Sequence, residues 1–410
     1  MDALRVLADD LTGACDVGAE LLPGPAGVVV HPSCESPRPE MRPATICVRN
    51  TQSRTLAPAE AARRVGAALA DAGSGWAGLV LKKIDTGLRG PLGAEIDAAM
   101  DALGVAEAFV LPAIPEIGRT TQQGRQMIGG IPVHETAFAR DPHHPIRDAS
   151  VAAAVTATSR RTAAVIDLAG VRGDFQEAIR GARAAGAGIM VCDAETDADL
   201  ERSVRALLLR GRPLLLVGST GLARALRRVL GSEQGGRGFR ASGPAPLAGS
   251  GILVVAGSAH PTTRLQVDRA VERGLFESLT VNDLASAEGA GVAAARLLRA
   301  ATPAALVAPA APSPHGSAAV GTALRRAALT ALSRARPSGL VLVGGETAYQ
   351  VLEGLGLPAL WLESRLCPLV VRARLMSGPY AGLALVTKGG STGAPDVLAS
   401  IVRQLARGAV

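Results

Sequence analysis

Residues 4–16 read Leu-Arg-Val-Leu-Ala-Asp-Asp-Leu-Thr-Gly-Ala-Cys-Asp: five mostly apolar residues, then two adjacent carboxylates, then Thr-Gly-Ala. The apolar run predicts a strand, and the residues after the two aspartates predict the start of a helix. Carboxylates at such a junction lie at the carboxyl edge of a parallel sheet, where open α/β proteins bind their ligands. One aspartate suffices to cap the helix through its first backbone N–H groups. The other, Asp9 or Asp10, is left to take a proton from a substrate hydroxyl or to hold Mg²⁺.

The same alternation runs outward from this stretch. Strand-like segments occur at 26–30, 44–48, 78–85 and 108–113, then near 165, 190 and 215, with Ala-rich amphipathic stretches such as 57–73 between them. This pattern predicts an α/β fold with a largely parallel sheet. From Gly231 to Gly251 the periodicity vanishes into Gly, Ser and Pro, and a second α/β series follows at 251–258, 275–283, 304–310, 339–347 and 382–390. Two α/β domains are therefore expected, residues 1–232 and 251–410, joined by a linker over 233–250. A cleft between them is the expected ligand site.

Composition narrows the function classes. At 410 residues the chain is long enough for two or three domains. Its residues are 48% hydrophobic but only 2% aromatic, which disfavours both disorder and base-stacking RNA modules. The net charge of +7 is scattered singly and in pairs, so no nucleic-acid face is expected. No apolar run approaches the ~18 residues of a membrane span, and MDALRVLADD lacks the features of a secretory signal, so a soluble cytoplasmic protein is expected. Five cysteines without C-x-x-C spacing point to reduced thiols rather than a disulfide framework or zinc site. Of 43 basic residues only Lys82, Lys83 and Lys388 are lysines, which suggests positions where a compact ammonium does what a guanidinium cannot.

Further motifs follow strands. In Lys82-Lys83-Ile84-Asp85-Thr86-Gly87-Leu88-Arg89-Gly90, alternation places Lys83 and Asp85 on one face and Lys82 on the other. A plain Lys83–Asp85 ion pair is the structural alternative to ligand binding there. The planar fork of Arg89 suits carboxylate or phosphate oxygens. Asn50-Thr51-Gln52-Ser53-Arg54 adds hydroxyls and a cation, as a small polyhydroxy acid would require. Residues 112–147 read as one long functional loop in which Gly118-Arg119-Thr120-Thr121 could meet an anion. His143 and His144 lack a matching acid or cysteine pattern, and metal ligands are not assigned. In the second half, three Gly-rich strand ends offer backbone N–H groups to phosphate: Gly257-Ser258, Gly344-Gly345-Glu346-Thr347 and Lys388-Gly389-Gly390-Ser391-Thr392-Gly393. Neither a Walker A spacing nor an intact G-x-G-x-x-G is present.

Taken in order, ADDLTGACD (8–16), LKKIDTGLRG (81–90), LPAIPEIGRTTQQG (111–124), VHETAFARDPHHP (133–145), AGS (256–258), VGGET (343–347) and TKGGSTG (387–393) resemble the motifs of the four-carbon acid sugar kinase family. The resemblance covers nearly the whole chain. It implies an N-terminal domain that binds a sugar acid, a C-terminal domain that binds ATP, and phosphorylation of threonate, erythronate or 3-oxo-tetronate at the terminal hydroxyl. By that resemblance Asp10 or its neighbour Asp9 would act on the hydroxyl, with Asp85 next in line, and Ser53, Arg54, Lys83, Arg89 and Arg119 would bind the acid. Ser258, Gly344, Gly345, Glu346, Thr347, Lys388, Gly390 and Gly393 would hold the nucleotide, with Mg²⁺ bridging its phosphates. The implied partners are a small-molecule acid and ATP, with no nucleic acid or membrane; homo-oligomerisation is left open. A non-catalytic sugar-acid or nucleotide sensor on the same scaffold is the alternative. Two places depart from the family pattern: Thr86-Gly87 stands where Ser-Thr is usual, and Lys388-Gly-Gly-Ser-Thr-Gly where K-S-G-N-F-G is usual.

Overall fold

The computed structural model describes residues 4–22, 27–34, 45–70, 78–141, 144–233, 243–258, 260–310 and 316–407. Half of the expected linker (234–242) and His143 lie outside them. The chain divides into one unit of Met1–Val28 with Ser33–Ala241 and another of Val29–Pro32 with Ser242–Val410.

The first unit runs β1 (Leu4–Ala8), α1 (Leu11–Glu20), β2 (Gly27–His31, shared with the second unit), β3 (Thr45–Asn50), α2 (Pro58–Leu69), β4 (Leu79–Lys83), α3 (Leu92–Leu103) and β5 (Ala108–Leu111). It continues with β6 (Arg119–Gln122), β7 (Arg125–Ile128), β8 (Ile131–Pro132), α4 (Val151–Thr156), β9 (Ala163–Ile166), α5 (Leu168–Arg172), α6 (Phe175–Ala184), β10 (Ile189–Cys192), α7 (Asp197–Leu208), β11 (Leu214–Gly218) and α8 (Thr220–Glu233). Strands β3-β1-β4-β11-β5-β10-β9 pair in parallel. Continuous apolar runs such as Leu79-Val80-Leu81 are buried in this sheet, as both-side-covered parallel strands require. Helix α3 shows the matching 3.6 period: Leu92, Ile96, Met100 and Leu103 join Val65 and Leu69 of α2 in the core, and Gly104 at φ 64° ends the helix.

Residues 112–147 are not one long loop. They form an antiparallel three-stranded sheet, β6-β7-β8, with single 3₁₀ turns at Pro115–Ile117, Val133–Glu135 and Ala137–Arg140. Gln123 and Gly124, at φ 52° and 70°, make a two-residue hairpin turn whose positive angles match the strand twist. Asp193 fastens that turn from outside, accepting from both of its backbone N–H groups at 2.6 and 2.8 Å.

The second unit contains β12 (Ile252–Ala256), α9 (Pro261–Glu272), β13 (Glu277–Thr280), α10 (Leu284–Arg299), β14 (Ala304–Val307), α11 (Gly316–Arg334), β15 (Gly339–Val343) and α12 (Gly345–Gly354). It closes with β16 (Leu360–Cys367), β17 (Val370–Leu375), β18 (Ala384–Lys388) and α13 (Val397–Arg407). The order β13-β14-β12-β15-β18 is parallel, and β17, β16 and then Val29–Val30 extend it antiparallel. The β16–β17 hairpin had no expectation from sequence, because Glu363, Arg365, Arg372 and Arg374 interrupt its apolar pattern. Two of these arginines fold back onto Glu363.

Candidate functional site

Register brings the marked motifs of the first unit together. Ala8 pairs with both Asn50 and Lys83, and Lys83 with Gly218, so four adjacent strands end at one level. The loops beyond are tied to one another: Thr51 N donates to Ala8 O at 2.8 Å, Ser53 N to Asp9 O at 3.0 Å, and Ile84 N to Gly218 O at 2.8 Å. Strand β1 is flanked on one side by β3 and on the other by β4, the place where strand order reverses and where open α/β sheets take their ligands.

Asp10 is the cap. Its Oδ1 accepts from Gly13 N at 2.9 Å and its Oδ2 from Thr12 Oγ1 at 2.7 Å. Arg54 grips both aspartates, through Nε and Nη2 to Asp9 at 2.8 and 2.9 Å and through Nη2 to Asp10 at 2.6 Å. Asp9 is 1% exposed. Burial alone would raise its pKa, but Arg54, with Lys82 and Lys83 behind it, holds it below the ordinary 3.8. Asp85 is similar: burial opposes ionisation, yet Arg89 and Arg54 keep it well below the usual carboxylate range. These two carboxylates stay ionised and are weak proton acceptors.

The alternative of a plain Lys83–Asp85 pair is not what forms: Asp85 pairs with Arg89, whose Nε and Nη2 reach it at 2.7 and 3.2 Å. Lys83 instead donates to Ile84 O at 2.7 Å and makes no ion pair among the described residues. A Cβ on Gly13 would lie 3.3 Å from its Nζ, so the glycine leaves room for an ammonium. Lys82, on the opposite face, is wholly buried and donates to Glu95 Oε2 at 2.9 Å and Lys83 O at 3.1 Å. Ser53 departs from its expected role as an acid-binding hydroxyl. It is fully buried and its Oγ donates to Glu95, so it braces the site from behind.

Three site residues were not singled out from the sequence: Glu95, Asp141 and Phe138, the last two inside the 133–145 motif. Glu95 looked like an ordinary helix residue, and its place opposite Lys82 follows only from packing α3 on β4. Asp141 accepts from Arg89 Nη1 at 2.9 Å. Arg119 donates to Thr86 Oγ1, and the guanidinium carbons of Arg89 and Arg119 lie 5.0 and 5.9 Å from the centre of the Phe138 ring. The aromatic beside an Asp-Pro pair in 133–145 was the available hint.

In the second unit the three Gly turns follow neighbouring strands in register, Ala256 with Val343 and Val343 with Lys388. They meet closely. A Cβ on Gly257 would lie 2.3 Å from Thr347 Oγ1, and one on Gly390 would lie 2.1 Å from Ser258 Oγ. Gly344, at φ 105°, precedes α12, whose first turn holds Gly345, Glu346 and Thr347. Helix α9 takes up the carbonyls of the last turn: Thr263 Oγ1 donates to Gly390 O at 2.7 Å, and Gln266 Nε2 to Thr392, Gly393 and Ala394 O at 3.0–3.1 Å. Lys388 is buried and donates to Gly389 O at 2.7 Å. Such a backbone cradle, too tight for side chains, fits the phosphates of a nucleotide.

A family model described as a sugar-binding N-terminal domain matches residues 4–226, and one described as a nucleotide-binding C-terminal domain matches 253–398. The chain is 34% identical to a D-threonate kinase of Salmonella typhimurium, the match covering 96% of each chain. The chain belongs to the four-carbon acid sugar kinase family. Other members of that family include a D-erythronate kinase of Heliobacterium modesticaldum, 29% identical over 99% of this chain and 97% of that one. A 3-oxo-tetronate kinase of Methylobacterium radiotolerans is 31% identical over 96% and 97%. A crystal structure from Salmonella typhimurium LT2, 22% identical, shares the fold of this kinase with a TM-score of 0.80 over 98% of this chain and 99% of that one. No helix among the kinase's described residues is long and apolar enough to cross a membrane.

Proposed function

We propose that this member of the four-carbon acid sugar kinase family transfers the γ-phosphoryl group of ATP to the terminal hydroxyl of a four-carbon sugar acid. The observation that carries this reading is the convergence, at one sheet edge, of Asp9, Asp10, Arg54, Lys83, Asp85, Arg89 and Arg119. Arg89 and Arg119 hold the acid's carboxylate, Asp85 and the Lys83 ammonium hold its hydroxyls, and Asp10 orients the hydroxyl that attacks. As the new O–P bond forms and the bond between the γ-phosphorus and the β–γ bridging oxygen breaks to release ADP, the hydroxyl proton passes to Asp10. A loose phosphoryl-transfer transition state asks little of a base and much of positioning, so a well-placed carboxylate suffices. Ser258 and the turns at Gly344–Thr347 and Gly389–Gly393 take the ATP phosphates. No group of three or more His, Cys, Asp or Glu side chains is gathered for a metal among the described residues. Mg²⁺ ordinarily needs only one or two carboxylates beside substrate phosphates, so it is assigned to the ATP as part of that substrate.

The test is ADP release in the presence of ATP, Mg²⁺ and a panel of D-threonate, L-threonate, D-erythronate and 3-oxo-tetronates. Turnover with at least one of them is expected. Binding of the acids by calorimetry with no ADP release from any would establish instead a sensor on the kinase scaffold.

A further inference from the structure

We propose that Phe138 is the residue that limits the length of the sugar acid this site accepts. The proposal rests on the acid-binding reading above and deepens it. Gly87 lies between the two groups that would meet the acid, Asp85 and Arg89, and a Cβ added there would come within 2.3 and 2.5 Å of Phe138 Cε1 and Cδ1. The ring therefore lies directly against the backbone of the 85–90 turn, filling the volume a side chain at 87 would take. Both candidate carboxylate clamps, Arg89 and Arg119, stand over the same ring. Each is also held by a hydrogen bond on another side, Arg89 to Asp85 and Asp141, Arg119 to Thr86.

The wall is fixed. Phe138 O accepts from Ile146 N at 3.1 Å and from Asp141 N at 3.3 Å, its N–H is met by Thr136 Oγ1, and its side chain packs on the core of the first unit. These bonds fix the main chain at Phe138, and the half-buried ring is held by its packing on the core. In this reading an acid seated on Arg89 and Arg119 has the Phe138 ring beside its carboxylate end, and the ring takes the volume a fifth carbon would need there. Apolar pockets discriminate one methylene by roughly 10- to 200-fold in kcat/KM.

The experiment compares kcat/KM for four-carbon acids (D-threonate, D-erythronate) and five-carbon aldonates (D-ribonate, D-xylonate) in the full-length wild type, Phe138→Ala, Phe138→Leu, Gly87→Ala and the Phe138→Ala/Gly87→Ala double variant, with melting curves as a fold control. The five-to-four-carbon ratio is expected to rise by about tenfold or more in Phe138→Ala and by less in Phe138→Leu, which keeps the apolar packing. Gly87→Ala is expected to lose about tenfold or more on tetronates and to recover in part when the ring is removed, the remainder coming from Asp85 Oδ2, 2.8 Å from the added Cβ. A ratio that stays within twofold of wild type in whichever Phe138 variant folds overturns the proposal, as does a Gly87→Ala defect that the second substitution does not relieve. Wild-type turnover on tetronates is read first and separately, so failure of the kinase reading is visible there and is not confused with failure of the length limit.

Discussion

Removing the guanidinium from Arg54 tests the electrostatic centre of the site most directly. Arg54 makes three hydrogen bonds to two carboxylates, and the one it grips through two nitrogens, Asp9, is 1% exposed. Arg54→Ala leaves a buried carboxylate without its main partner, a change that typically costs about 3–5 kcal/mol. Lys82 and Lys83 still lie close enough to favour the Asp9 charge, which places the expected loss toward about 3 kcal/mol. The loss should depend on pH. In the wild type the Asp9 pKa lies below its unfolded value of 3.8, so its stabilisation is present above that value and disappears only as pH falls through the lower, folded one. Without Arg54, burial prevails and the folded pKa moves above 3.8, so the penalty is full at neutral pH and fades as pH falls through that raised value. The gap between variant and wild type must narrow from pH 7 toward pH 4. Urea unfolding followed by circular dichroism measures it, with Arg54→Lys expected to recover only part of the loss, because an ammonium cannot engage both oxygens of Asp9. A gap under about 1 kcal/mol at pH 7, or one that widens on acidification, would refute the argument.

Lys83→Arg should raise the KM for the acid and lower kcat despite keeping the charge, since the space beside Gly13 admits an ammonium but not a planar fork; unchanged steady-state constants would assign Lys83 to the scaffold. Gly390→Ala drives a Cβ to 2.1 Å from Ser258 Oγ and should raise the KM for ATP by about tenfold or more while leaving acid binding, read by calorimetry, unaltered. Equal effects on both substrates would show that the turn is not a nucleotide contact. Burial pushes the Asp193 carboxyl up to about 6, despite the two backbone N–H groups it accepts from. Its contribution to stability is therefore full below pH 4 and lost as pH rises through 6, so Asp193→Asn should gain in melting temperature relative to wild type between pH 4 and pH 7, and a flat difference would contradict this.

Much of the architecture was legible in the chain because burial on both faces writes parallel strands as mostly apolar runs: LRVLA, LVLKK, ILVVA and GLVLV all lie where that rule places them. The same rule marked the site, since polar motifs that follow such runs land on the carboxyl edge. Asp9-Asp10, Ser53-Arg54 and Lys83 to Arg89 could be named for that reason alone. Partnership within the site was not legible. Alternation put Lys83 and Asp85 on one face, but Arg89, one turn further on, reaches Asp85 in two places, and a forked guanidinium outcompetes a single ammonium there. That Arg54 takes Asp9, that Ser53 turns inward to Glu95, and that Phe138 closes on Gly87 each depend on residues 40 or more positions away. Sequence periodicity decides which face a residue occupies; only the packed chain decides which of several nearby charges it meets, because those distances are set by the register of neighbouring strands and the docking of loops from elsewhere in the chain.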